Sequence, residues 1–114
     1  MKGIATEKVA GGKLVRIKAN FEDSKILSLQ ITGDFFLHPE EKLKEIEDLF
    51  FGKNIFFDEK KAQEEIEKIV EKNGMTLVGI NPEAIVKITK QAILNGTEEK
   101  IKEEAENQKM LGKK

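Results

Sequence analysis

The chain has 114 residues and nearly balanced charge, with 20 Lys and Arg against 21 Asp and Glu. This balance lacks the basic bias of many nucleic-acid-binding proteins, and Tyr and Trp, which often stack on bases, are absent. Without cysteine, the chain forms no disulfide and supplies no thiol nucleophile. It shows neither a signal-peptide core nor an apolar run of transmembrane length. We therefore expect a cytoplasmic protein with no nucleic-acid partner and no membrane partner.

The first segment that suggests chemistry is the loop Ala10-Gly11-Gly12-Lys13. Its backbone amides and the Lys13 ammonium would suit a phosphate, or the loop is a plain turn leading into a strand. A Walker A motif would need Gly in place of Glu7 and Ser or Thr in place of Leu14, so that motif is absent. Residues 1–13 show no other clear pattern.

Apolar and polar residues alternate along Leu14–Phe21 and again along Ile26–Thr32, which predicts two strands. The polar segment Glu22–Lys25 between them suits a hairpin loop. An antiparallel ribbon of this kind has one core face and one solvent face. Since an isolated hairpin is only marginally stable, helices are expected to cover the core face.

The segment after the second strand contains Gly33, Asp34, Phe35 and Phe36. Adjacent residues of an extended chain point to opposite faces, so the two phenylalanines cannot both enter one core. An exposed phenylalanine beside an aspartate indicates a docking surface, here predicted as a subunit interface. The alternative interpretation is a tightly packed loop that fills the core.

His38 is the single histidine, and it directly precedes Pro39. It could serve as a base, but no nucleophile or acid–base partner is identifiable in the sequence. Its position favours a role at the entry of the following helix, where we also place it at the edge of the predicted interface. We identify no catalytic residue and no metal-ligand spacing.

The remaining chain is predicted to be mainly helical, with one further strand. The predicted elements are a helix over Pro39–Phe51, a helix between the N-cap Asp58 and the stop Asn73-Gly74, a strand over Met75–Ile80, and a helix between Asn81-Pro82 and the stop Asn95-Gly96. Thr97 can cap a last, highly charged segment, residues 97–114, which we expect to be a C-terminal helix or tail.

This order of elements predicts the α+β class: a small antiparallel sheet in the order β-β-α-α-β-α, covered by helices on one face, plus the charged C-terminal helix. Because the sequence has no repeat and no long linker, we expect residues 1–114 to form a single domain. The predicted core consists of Val15, Ile17, Phe21, Leu27, Leu29, Ile31, Leu43, Ile46, Ile66, Ile69, Ile85 and Ile88.

Six of the seven phenylalanines stand as the adjacent pairs Phe35-Phe36, Phe50-Phe51 and Phe56-Phe57. Apolar surface in excess of what a core can hold usually contacts a partner. One function consistent with these residues alone is a non-catalytic interaction module that binds through a Phe-rich surface. A phosphate-binding enzyme built on the Gly-Gly-Lys loop is a weaker alternative, because no base or metal site accompanies the loop.

A longer pattern resembles a known family. Gly11-Gly12-Lys13-Leu14-Val15-Arg16, a strand hairpin, Thr32-Gly33-Asp34-Phe35-Phe36-Leu37-His38-Pro39-Glu40-Glu41, and a helix closing on Leu49-Phe50-Phe51-Gly52 are similar to the accessory domain of lipoate–protein ligase. That domain is the C-terminal part of single-chain ligases and a separate small subunit of bipartite ligases. The resemblance covers about residues 8–95. Ala10 stands where many relatives have proline, and the charged tail is an addition.

The resemblance implies an accessory subunit required for the activation of lipoate by ATP to lipoyl-adenylate. Transfer to a lysine of the lipoyl domain would need mainly the catalytic subunit. The implied partners are that catalytic large subunit and, through the assembled ligase, the lipoyl domain of the acceptor protein. ATP, lipoate and Mg²⁺ would belong to the assembled ligase, and this chain alone would bind no cofactor and catalyse nothing. Gly11, Gly12 and Lys13 would then lie near the partner or the adenylate.

Overall fold

The computed structural model describes residues 1–9 and 11–111. Its elements in chain order are strand β1 (Lys2–Val9), β2 (Lys13–Glu22), β3 (Lys25–Gly33), β4 (Phe36–His38), a 3₁₀ turn (Glu40–Lys42), helix α1 (Leu43–Leu49), α2 (Glu59–Lys72), β5 (Thr76–Val78) and α3 (Pro82–Leu111). The predicted α+β class is confirmed. Ala10 of the predicted loop, and residues 112–114 of the predicted tail, lie outside the described residues.

The strands form two antiparallel sheets. The larger has the order β1-β2-β3, and the smaller pairs β4 with β5. Strand β1 was not predicted, and it extends the expected hairpin to three strands by pairing Lys2 with Asn20 and Val9 with Lys13. The strand predicted near Met75–Ile80 exists, but it pairs with the short β4 and not with the hairpin.

Helices cover one face of the larger sheet. Along β2 the side chains alternate between buried and exposed, and the buried ones face helix α3. Two of the predicted core residues, Leu43 and Ile69, are only partly buried and pack against the core. The buried members are Val15, Ile17, Phe21, Leu29, Ile31, Ile46, Ile66, Ile85 and Ile88.

The prediction that Leu27 belongs to the core is wrong, because its side chain is 44% exposed. Asn20 pairs with Ser28 but Phe21 pairs with Ile26, so β3 carries one extra residue at Leu27. A β-bulge of this kind shifts the alternation by one position. Ile26, not Leu27, therefore enters the core, and it is fully buried.

The first predicted helix is shorter than expected. Pro39 has extended backbone (φ −71°, ψ 135°) and precedes the 3₁₀ turn, so it does not occupy the first helical position. The other helix starts are confirmed. The Asp58 carboxylate accepts a hydrogen bond from the Lys61 amide at 3.0 Å, and the Asn81 side chain accepts one from the Ala84 amide at 2.8 Å. Each satisfies an amide that the first turn of a helix leaves without a partner.

Helix α3 continues through the predicted stop at Asn95-Gly96 to Leu111. Thr97 does not cap a separate helix; its hydroxyl donates to the Ile93 carbonyl at 2.9 Å, one turn back in the same helix. Gly96 lies against the backbone of Lys2 and Gly3. The glycine therefore permits close packing of α3 on β1 and does not end the helix.

Side chains and loops satisfy backbone groups at the outer strands of the larger sheet. Asn95 donates to the Ile4 carbonyl of β1 at 2.9 Å, and Glu47 accepts from the Ile31 amide of β3 at 2.7 Å. At the start of β3, Ile26 donates to Lys53 and accepts from Gly52, each at 2.8 Å. These contacts leave fewer unpaired backbone groups available for strand addition by another chain.

Candidate functional site: the surface beside Lys13 and Phe36

Two of the predicted site segments meet at one end of the larger sheet. Val9 pairs with Lys13 across the β1–β2 turn, and Val15 pairs with Gly33 at the end of β3. The Asp34 amide donates to the Leu14 carbonyl at 2.9 Å, so the chain leaving β3 is held against the start of β2. The structure thus places Gly11, Gly12 and Lys13 beside Gly33 and Asp34, although about twenty residues separate them in sequence.

The glycine loop is the turn of the β1–β2 hairpin. Gly11 and Gly12 both have left-handed backbone conformations, with φ of +88° and +75°, which glycine adopts without strain. The Gly12 amide donates to the Val9 carbonyl at 2.9 Å and closes the turn. That amide is engaged within the protein, so it is not free to bind a phosphate.

Lys13 is exposed, but its aliphatic stem is packed. A Cβ atom built on Gly79 would lie 2.4 Å from Lys13 Cγ and 2.8 Å from Lys13 Cβ. The stem therefore occupies the space beside the Gly79 backbone that a side chain would otherwise fill. Gly79 follows β5 directly, so this contact joins the hairpin turn to the smaller sheet.

The smaller sheet presents an apolar pair beside Lys13. Phe36 and Val78 stand opposite each other in the β4–β5 pairing, and their side chains are 55% and 51% exposed. Leu37, between Phe36 and His38, points the other way and is buried. We call Phe36, Val78 and the adjoining Lys13 the end surface. Its exposed phenylalanine is of a residue type enriched at protein–protein interfaces, and the lysine adds one positive charge beside the apolar area.

The other predicted interface residues are arranged around this surface. Phe35 is partly buried against the core, as the alternation of an extended chain requires. Asp34 and His38 are exposed, and His38 pairs with Thr76 in the smaller sheet. Among residues 1–9 and 11–111, no cluster of three or more His, Asp or Glu side chains is arranged to hold a metal ion.

In each phenylalanine pair, one ring turns inward and the other stays in solvent. Phe50 is buried and makes an edge-to-face contact with Phe57 at 5.5 Å between centroids, while Phe51 and Phe56 are exposed. One ring of each pair therefore belongs to the core or packs against it and is not available to a partner. The exposed rings of Phe36, Phe51 and Phe56 border three different grooves, so they do not form one Phe-rich surface.

Phe56 marks a second apolar surface, at the opposite end of the larger sheet. The Ile55 amide donates to Ser24 in the β2–β3 turn at 2.9 Å, and this places Phe56 far from the end surface. Phe56 is 80% exposed and borders a groove of about 320 Å³. The other residues that line the groove are Ile55, Lys90, Ile93, Leu94 and Thr97.

Lys90 fixes the chain on both sides of Phe56. Its ammonium donates to the carbonyls of Ile55 at 3.2 Å and Phe57 at 2.6 Å, and it lies 3.8 Å from the centre of the Phe57 ring. Partial burial lowers the pKa of Lys90, and the charges of Glu59 and Asp58 oppose that shift. Sequence reasoning missed this lysine, as it missed Val78 and Gly79, because all three acquire their roles through contacts that are distant along the chain.

No helix within the described parts of the chain is both long and apolar enough to cross a lipid bilayer.

No protein-family model matches the sequence. Among curated proteins, Lipoate-protein ligase A subunit 2 of Thermoplasma acidophilum is 28% identical over 76 residues, which are 64% of this chain and 72% of that protein. The resemblance to the small subunit of a bipartite ligase, stated from the sequence, is confirmed by this relative.

A solved structure supports the same comparison at the level of fold. It belongs to an archaeal lipoylation system from Thermoplasma acidophilum, described as a bi-partite lipoate protein ligase and its E2 lipoyl domain. One of its chains superposes with a TM-score of 0.59 at 24% identity, covering 78% of this chain and 97% of that chain. The two chains therefore share a fold.

Proposed function

We propose that this chain is the accessory subunit of a two-chain lipoate–protein ligase and binds its catalytic subunit through the end surface. The similarity to subunit 2 of the Thermoplasma ligase is the observation that carries the proposal. The shared fold supports it, because the match extends over nearly the whole of the related chain.

The end surface supplies the physical basis for docking. Phe36 and Val78 expose apolar area that would be removed from water in a complex, and aromatic side chains of this kind often dominate the binding energy of an interface. Both residues sit on paired strands, so the surface is ordered before binding and little conformational entropy is lost on association. Gly33, Asp34, Phe35 and His38 would contribute the surrounding contacts.

The proposed reaction step is the activation of lipoate by ATP, which yields lipoyl-adenylate and pyrophosphate. ATP, lipoate and Mg²⁺ would be bound by the catalytic subunit, and the lipoyl domain of the acceptor protein would meet the assembled ligase. In this proposal the accessory chain has no catalytic residue of its own. It acts by binding the catalytic subunit and by placing positive charge from Lys13 near anionic groups of the complex.

Reconstitution tests the proposal. The catalytic subunit is assayed for lipoyl-adenylate and pyrophosphate formation with and without this chain, and separately for transfer from preformed lipoyl-adenylate. We expect a large gain in adenylation and little change in transfer. Equal adenylation rates with and without this chain would contradict the proposal and favour an interaction module with another partner, for which the Phe56 groove is the specific observation.

A further inference from the structure

We infer that Gly79 is a positioning residue for Lys13, holding the lysine stem so that its ammonium is presented at the end surface to an anionic group of the assembled ligase. The inference rests on the proposed function for the identity of the complex. The contact itself rests on geometry within this chain alone.

The space beside Gly79 is filled by the lysine. A Cβ atom on residue 79 would approach Lys13 Cγ to 2.4 Å and Lys13 Cβ to 2.8 Å, and real Cβ atoms do not reach such distances. Only glycine leaves room for the stem in this position. Gly79 also has φ of +79°, a conformation that other residues adopt only with strain.

The packed stem reduces the freedom of an otherwise flexible side chain. A lysine carries large rotamer entropy, and much of it is lost when its ammonium binds a fixed partner. Contact with the Gly79 backbone removes part of this freedom before binding, which favours an ion pair or a phosphate contact formed by Lys13. None of the ion pairs found among the described residues involves Lys13, so its charge is not neutralised by a salt bridge there.

The anion recognised by Lys13 is either a carboxylate of the catalytic subunit or a phosphate of the bound nucleotide. Both are oxyanions that accept hydrogen bonds from an ammonium group. The two contacts differ in which step is weakened or slowed when Lys13 is displaced. A carboxylate contact would affect association of the two subunits, whereas a phosphate contact would affect adenylation after association.

Gly79→Ala tests the inference, with Gly52→Ala as its matched control. Gly52 has a similar φ of +83°, but a Cβ atom there would meet no atom within 4 Å. The two variants therefore share the backbone strain, and only Gly79→Ala displaces Lys13. We expect Gly79→Ala to reduce subunit affinity or the adenylation rate about two- to fivefold, the scale of one exposed ion pair. Gly52→Ala should leave both unchanged.

A double variant shows whether the effect passes through the lysine. In a Lys13→Met background, Gly79→Ala should cause no additional loss, because the ammonium is already gone. If Gly79→Ala reduces affinity or adenylation equally in the unmodified chain and in the Lys13→Met background, the inference is overturned. Gly79 would then be required for the fold and not for the placement of the ammonium.

A measurement on the free chain separates this inference from the proposed function. Side-chain ¹³C relaxation should show the Lys13 methylenes more ordered than those of Lys18, which is exposed on the same strand, and Gly79→Ala should abolish the difference. Equal order for Lys13 and Lys18 in the unmodified chain would overturn the inference even if the ligase reconstitutes. If the subunits fail to reconstitute while Lys13 is ordered, the proposed function fails and the positioning of Lys13 by Gly79 stands.

Discussion

Gly3 of β1 and Gly96 of α3 bring strand and helix into backbone contact. A Cβ atom on Gly3 would lie 1.8 Å from the Ala92 carbonyl oxygen, and one on Gly96 would lie 2.9 Å from Gly3 Cα. The Asn95 side chain, one residue before Gly96, donates to the Ile4 carbonyl at 2.9 Å. This contact fixes α3 along β1 and thereby sets the direction in which the helix continues past the sheet.

Gly3→Ala is expected to lower the free energy of unfolding by about 2–3 kcal/mol, because the added methyl group forces strand and helix apart. The measurement is urea denaturation of the Gly3→Ala variant and the unmodified chain under the same conditions. Thr6→Ala, an exposed change on the same strand, should stay within about 0.5 kcal/mol and serves as the control. A Gly3→Ala variant as stable as the unmodified chain would contradict the close packing of α3 on β1.

Local signals in the sequence predicted local structure well. The caps at Asp58 and Asn81, and the helix end at Asn73-Gly74, were identified correctly because each depends on atoms only a few residues apart. Strand β1 was missed because its inward positions include Gly3 and Ala5, which carry almost no hydrophobic signal. The same small residues allow α3 to approach, so the feature that hid the strand is also what its packing requires.

The candidate site was only partly predictable for a related reason. Phe36 and Lys13 could be named from their local sequence, but the pairing of Phe36 with Val78 and the contact of Lys13 with Gly79 join segments more than forty residues apart. Asn95-Gly96 was misread as a helix stop because glycine signals either a helix end or a close approach. The distinction depends on what lies opposite, which for Gly96 is a strand more than 90 residues earlier in the chain.

Leu29→Ala is expected to lower the free energy of unfolding by about 2–5 kcal/mol, because the side chain is 6% exposed and its removal leaves a cavity. Leu27→Ala provides a matched control two residues away, at the bulge itself. Because the Leu27 side chain is half-exposed, shortening it should lower the free energy of unfolding by less than about 1 kcal/mol. Equal losses for the two variants would contradict the bulged register of β3.

Glu45 is expected to make stability depend on pH in the acid range. A hydrogen bond from Lys72 at 3.1 Å and one from Asn73 at 3.0 Å lower the pKa of Glu45 below its ordinary value of 4.5. Because the folded state favours the charged carboxylate, this stabilisation is present above pH 4.5 and is lost as pH falls through the folded-state pKa.

Glu45→Gln should therefore be less stable than the unmodified chain at neutral pH, and the difference should shrink towards zero below the folded-state pKa of Glu45. Urea titrations at a series of pH values measure this difference in the free energy of unfolding. Glu64→Gln, which removes an exposed charge from α2, is the control variant measured in the same titrations. A stability difference between Glu45→Gln and the unmodified chain that is constant across the acid range would exclude titration of Glu45 as its source.

Phe36→Ala is expected to weaken binding of the catalytic subunit by about 30-fold, corresponding to about 2 kcal/mol for an aromatic side chain buried in an interface. The chain should remain folded, since the ring is more than half exposed. Isothermal titration calorimetry measures the affinity, and thermal unfolding of the free chain checks the fold.

Phe51→Ala is the control for Phe36→Ala, because Phe51 is also exposed but follows α1 and is not part of the end surface. Its affinity for the catalytic subunit should match that of the unmodified chain. If Phe36→Ala unfolds the chain, the ring supports the core and the docking interpretation is wrong. If both variants bind normally, the catalytic subunit docks elsewhere.

Lys13→Met separates three roles of the lysine within the reconstituted ligase. Methionine keeps an unbranched stem beside Gly79 while removing the charge, so loss of packing contributes little to the outcome. Subunit affinity, adenylation and transfer from preformed lipoyl-adenylate are measured separately. A phosphate contact predicts slower adenylation with normal affinity and normal transfer, since the positive charge would stabilise the departing pyrophosphate.

A carboxylate contact of Lys13 instead predicts weaker association of the Lys13→Met subunit at low salt and a smaller difference at high salt, where the ion pair is screened. No change in any of the three would show that Lys13 lies in solvent in the complex and would contradict its predicted place near the partner or the adenylate.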